Sequence, residues 1–129
     1  MGLQEKRLVH QFQTEIVPKY EKEIAEIAGY PIPIEIDWEP IANDRPVLDN
    51  MELQALNRTT EVFRSLCGDE VGKEAVKAAV QKIRFSNTEP DKNFATLRDG
   101  VVEIGCSWGL APEGILNQYE IIAALEPLL

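Results

Sequence analysis

Histidine occurs once in this chain, at His10, and cysteine twice, at Cys67 and Cys106. Metal sites, thiol nucleophiles and serine triads draw on these residues. Their scarcity leaves no zinc-type ligand spacing, no disulfide framework and few parts for a triad. Long apolar runs are also missing: no segment approaches the roughly 20 residues a membrane-spanning helix needs. The start, MGLQEKRLVHQF, lacks the apolar stretch of a secretion signal. Positive charge is the third scarcity. Thirteen Lys and Arg stand against 22 Asp and Glu, for a formal net charge of -9. Between Asp99 and Leu129 there are five acids and no Lys or Arg. Such a surface repels nucleic-acid backbones and anionic membranes, so neither is expected as a partner; a basic protein is. The expectation is a cytoplasmic protein with free thiols, working without metal or cofactor.

What is present suits a globular chain. Its 129 residues are 44% hydrophobic and 27% charged, which predicts one domain over residues 1–129 with a core of ordinary size. The clearest local signal is Asp99-Gly100 between two β-type runs, because a two-residue type I′ turn needs positive φ at both central positions. That turn sets Arg98 against Val101, Thr96 against Glu103 and Phe94 against Gly105 on one face. Leu97 against Val102 and Ala95 against Ile104 make the other, uniformly apolar face, which is expected to be buried. Gly105 under the Phe94 ring reads as a cross-strand rescue, with Gly105→Ala expected to be mild and Phe94→Ala costlier.

Elsewhere the periodicities alternate between helix and strand. Leu8, Phe12, Ile16, Tyr20, Ile24 and Ile27 form one helical stripe over 3–28, with a kink expected near Val17 because Pro18 removes a donor. Ile32, Ile34, Ile36 and Trp38 alternate with Pro33, Glu35 and Asp37 in a strand whose proline places it at a sheet edge. Residues 39–48 read as a loop, and Asp49 with Glu52 as a capping box opening the next helix. Asp69 caps another. A three-stranded meander over 82–108 follows, then a last helix with Pro112 in its first turn and Ile115, Tyr119, Ile122 and Leu125 as its buried stripe. The order is α-β-α-α-β-β-β-α. It predicts an α+β fold, a four-stranded, largely antiparallel sheet with helices packed on one face.

Candidate chemistry is sparse. Gly105-Cys106-Ser107-Trp108-Gly109 matches the nucleophile elbow G-x-S-x-G, but no histidine follows it and the expected helix starts too late. Gly68 to Lys73 resembles a phosphate loop that is one residue short and preceded by a helix. Glu35, Asp37, Glu39 and Asp44 form the densest acid group, able in principle to hold a hard cation or guard an edge strand. Trp38 and Trp108 stand at strand ends, where an exposed indole would anchor a partner. These six residues, Glu35, Asp37, Trp38, Glu39, Asp44 and Trp108, are the candidate binding set, with no catalytic residue and no metal ligand among them. The function expected is a small non-catalytic interaction module: adaptor, inhibitor, immunity-type protein or regulatory subunit. The alternative is a small hydrolase or ligand-binding enzyme with a pocket between sheet and helices.

Overall fold

A computed structural model describes residues 2–110 and 113–129. The chain runs through α1 (Leu3–Gln11), a π-helical segment (Phe12–Ile16), α2 (Val17–Ala28) and β1 (Ile34–Ile36). It continues through α3 (Arg45–Asn50), a second π segment (Met51–Asn57), α4 (Arg58–Leu66) and α5 (Glu70–Ala79). Strands β2 (Lys82–Asn87), β3 (Phe94–Arg98) and β4 (Val101–Cys106) follow, then α6 (Gln118–Leu125). The α+β class stands. Where four helices are expected, the described residues contain six α-helical segments, because a π turn divides each of the two long helical stretches. The first π turn ends at Ile16, two residues before Pro18. A widened turn absorbs the missing donor without ending the helix, so a π segment replaces the simple kink.

The sheet order is β1-β2-β4-β3. β1 and β2 are parallel, β2 and β4 are parallel, and only β3 and β4 are antiparallel. This corrects the largely antiparallel sheet and its meander: the sheet is mixed, and β4 lies between β2 and β3. Burial gives the reason. Val102, Ile104 and Cys106 of β4 are at most 1% exposed and need cover from both sides, whereas Ala95 and Leu97 of β3 are half-buried and suit an edge. The six residues 88–93 exceed a tight hairpin loop, which frees β3 from pairing with β2. The hairpin itself has the expected register throughout. Asp99 and Gly100 hold φ of 53° and 80°, as a type I′ turn requires.

Two helix starts differ from expectation. α3 opens at Arg45, capped by the Asp44 carboxylate, which accepts from Val47 N at 3.4 Å; Asp49 instead pairs with Arg45 at 2.8 Å. α6 opens at Gln118 with an Asn117–Glu120 capping box. Pro112, expected in that first turn, lies outside the described residues. The buried face of α6 is Ile121 and Leu125, and Tyr119 is 73% exposed. Asp69 caps α5 as expected, accepting from Gly72 N at 2.7 Å. The core lies between the apolar face of the sheet (Ile34, Ile36, Ile83, Phe85, Val102, Ile104) and the helices, chiefly Tyr20, Ile24, Val62, Phe63, Ile121 and Leu125. With one sheet face spent on the core, the other is left charged and half-exposed.

Candidate functional site

Strand alternation decides which side chains reach that second face. The registers set Glu35, Arg84, Glu103 and Thr96 in one row across all four strands. Arg84 is the hub of this row. Its Nε lies 3.1 Å from Glu35 Oε1, its Nη1 2.6 Å from Glu103 Oε2 and its Nη2 3.6 Å from Asp37 Oδ2. Lys82 pairs with the remaining oxygen of Glu35. Three carboxylates thus share two cations. Hydrogen bonds from Lys82 and then Arg84 hold the Glu35 carboxyl below its usual range, and Glu103 followed by Glu35 holds the Arg84 guanidinium charged.

Beside this ladder the face sinks into a shallow depression of about 610 Å³, lined by Arg84, Phe94, Thr96, Arg98, Asp99, Val101 and Glu103. Arg98 is exposed and has no ion pair among the described residues. The depression therefore offers the Arg84–Glu103 pair, the Arg98 cation, the Asp99 carboxylate, an aromatic ring and a hydroxyl.

The expected acid group does not form a single cluster. Glu35 and Asp37 belong to the ladder, Asp44 caps α3, and Glu39 is exposed in the turn between β1 and α3. Among the described residues no group of three His, Cys, Asp or Glu is arranged to hold a metal ion. Trp38 is half-buried against Phe12, with ring centroids 5.5 Å apart. Trp108 is 1% exposed and donates its indole N–H to Ser86 O at 2.9 Å. A buried ring presents nothing to a partner, which removes Trp108 as a surface anchor.

The carboxyl ends of parallel strands are the usual ligand position in open α/β sheets, so the ends of β2 and β4 were the other place to find chemistry. A cavity of about 340 Å³ is lined there by Asp44, Pro46, Val47, Asn87, Ser107 and Leu110. Its polar groups are occupied by backbone. The Ser107 hydroxyl donates to Thr88 O. Asn87 Oδ1 accepts from Trp108 N at 3.2 Å, and Asn50 Nδ2 donates to Trp108 O at 2.9 Å. Among the described residues no histidine or carboxylate is hydrogen-bonded to Ser107. Cys106, beside it, is fully buried, and burial pushes its thiol up, away from the reactive thiolate. Burial does the same to the half-buried Cys67.

The chain matches no protein-family model, no curated protein and no solved structure. Its function is read from its own side chains. Sequence reasoning found Glu35 and Asp37 and missed Lys82, Arg84, Phe94, Thr96, Arg98 and Glu103. A signal for them was present: Lys82 and Arg84 alternate with Ile83 and Phe85, and Thr96 and Arg98 with Ala95 and Leu97.

Proposed function

We propose that the chain is a non-catalytic protein-interaction module that takes its partner on the open face of the sheet, at the depression beside the Arg84 ladder. The supporting observation is the depression itself, where an exposed Arg98, the Phe94 ring, Val101 and Thr96 surround space of about 610 Å³. Arginine and aromatic side chains are the groups enriched at protein interfaces. The ladder pairs its two cations, and the one carboxylate in excess adds to the attraction for a basic partner. The excess acid of the chain suits a basic partner, whose approach it accelerates, and Asp99 and Glu103 carry that charge into the contact.

Val101→Glu tests this reading. The new carboxylate fills the depression and lies beside Arg98 across the hairpin, so the fold is expected to hold. A protein retained from cell lysate by the wild type, and then purified, is expected to lose at least tenfold in affinity for Val101→Glu and none for Leu53→Ser on the helical side. Its on-rate for the wild type is expected to fall as ionic strength rises. Equal affinity for both variants places the interface elsewhere and overturns the reading.

A further inference from the structure

The helical layer carries an apolar groove that the core leaves open. It lies between the start of α5 and the turn Glu126–Leu128 that follows α6, and has a volume of about 360 Å³. Its apolar side chains are Leu66, Val71, Ala75 and Leu129. Its only charged side chains, among the described residues, are the acids Asp69 and Glu126. Val71 is 78% exposed, and Leu128 in the adjoining turn is 48% exposed. Along α5, Val71, Ala75 and Ala78 recur at spacings of four and three, on a different side from the buried Val76. α5 thus has two apolar sides, and the core uses one.

Charge is sorted about this groove. Lys73 and Lys77, the cations of α5, stand on its other flank, beside Ala28 and Gly29 at the end of α2. From Asp99 to Leu129 there is no Lys or Arg, so the turn that closes the groove brings no cation of its own. Asp69 accepts from Gly72 N, which leaves its carboxylate further acceptor positions. Neither Asp69 nor Glu126 has an ion pair among the described residues. Backbone geometry decides what form of chain fits. The lining residues belong to α4, α5, the Asp69 cap and the last turn, and no strand edge reaches them. An extended segment laid there would find no ladder for its N–H and C=O groups, whereas a helix satisfies its own.

We propose that this groove docks an amphipathic basic helix of a partner protein. Its apolar side lies on Val71, Ala75 and Leu129, and lysine or arginine at its margins pairs with Asp69 and Glu126. The proposal does not rest on the sheet-face reading. The groove belongs to the helical layer and the depression to the opposite, open face of the sheet, so one chain can hold two partners.

The probe is a peptide of about 18 residues with leucine on one helical side and lysine on the other, above the length at which isolated helices are marginal. Titrated into the full chain, it is expected to shift the backbone amide NMR signals of residues 66–75 and 126–129 and to leave those of 94–106 in place. An isomer with leucine and lysine alternating has the same composition but the period of a strand, and is expected to bind at least tenfold more weakly. Val71→Lys sets a cation in the groove at an exposed position, so the fold is expected to hold while affinity falls at least tenfold. Leu53→Lys makes the same change in net charge outside the groove and is expected to cost less than twofold. Val101→Glu, on the sheet, is expected to keep the peptide bound, which separates this proposal from the sheet-face reading. Equal losses in the two lysine variants would mean attraction to net charge alone and overturn the proposal. Equal binding of the alternating isomer, shifts centred on the sheet, or no binding at millimolar peptide overturns it as well.

Discussion

Phe94 and Gly105 show how one residue can be fixed by its neighbour rather than by its own backbone. Gly105 lacks the positive φ found at Gly29 and Gly100, so an alanine would suit its conformation. Space is the obstacle: a Cβ there would lie 2.4 Å from Phe94 Cε1 and 2.8 Å from Thr88 Cγ2. The ring covers the glycine as the cross-strand pairing requires, but it sits too close for Gly105→Ala to be mild. That expectation is revised. Gly105→Ala is expected to cost about 1–3 kcal/mol as an overpacking change, on the scale of Phe94→Ala. In the double variant the alanine occupies the space the ring vacates, so the two losses should not add. Denaturant unfolding of the four proteins measures this, and strictly additive losses would sink the packing argument. Tyr20 offers a second test at this scale. Burial, then its hydrogen bond to Glu52, pushes its hydroxyl up to about 12. A raised folded value means the neutral phenol stabilises the fold below the unfolded value of about 10. That contribution is lost as pH rises toward 12. Stability is expected to fall over this interval more steeply in the wild type than in Tyr20→Phe; parallel curves would count against the burial argument.

Elements are legible where their cues are local. The Asp99-Gly100 hairpin and the Asp69 cap need only a few adjacent residues, and both stand where the sequence places them. The start of α3 did not stand out because Asp44 and Pro46 look like loop residues until the helix behind them is seen. Proline fits a first turn as well as a loop. The order of β2, β4 and β3 was not legible either. It depends on which strand needs cover on both sides, a property of the assembled core and not of any short segment. The ladder was lost with it, since Glu35 meets Lys82 and Arg84 only through the parallel register of β1 and β2, two strands with 45 residues between them. That register is printed in no local pattern. The cap assignment carries its own prediction. Asp44→Ala is expected to cost about 1 kcal/mol, the typical value of an N-cap. Asp49→Ala loses only an exposed i,i+4 pair worth about 0.3 kcal/mol. Equilibrium unfolding of the two variants distinguishes them; the reverse ranking would move the helix start back to residue 49.

For the whole molecule, two electrostatic effects of opposite sign coexist. The net charge of -9 on 129 residues makes the folded chain repel itself, while the ladder on the sheet attracts. Distance decides how salt acts on each. The contacts around Arg84 run from 2.6 to 3.6 Å, well inside any Debye length below molar salt. Acids on different elements, such as the caps Asp44 and Asp69 and the uncompensated run from Glu113 to Glu126, are separated by whole helices. Raising ionic strength from about 0.01 to 0.15 M shortens the Debye length from about 30 to 8 Å, which screens that repulsion far more than the close pairs. The ladder is also partly exposed, so its own contribution is modest at any salt. Stability is therefore expected to rise with sodium chloride over this range at pH 7. Arg84→Gln should lower the curve while keeping its upward slope, because the variant removes a short-range contact and makes the net charge more negative. Thermal unfolding at several salt concentrations checks both. A melting temperature that falls with salt in the wild type, but not in Arg84→Gln, would mean that the ladder outweighs the repulsion.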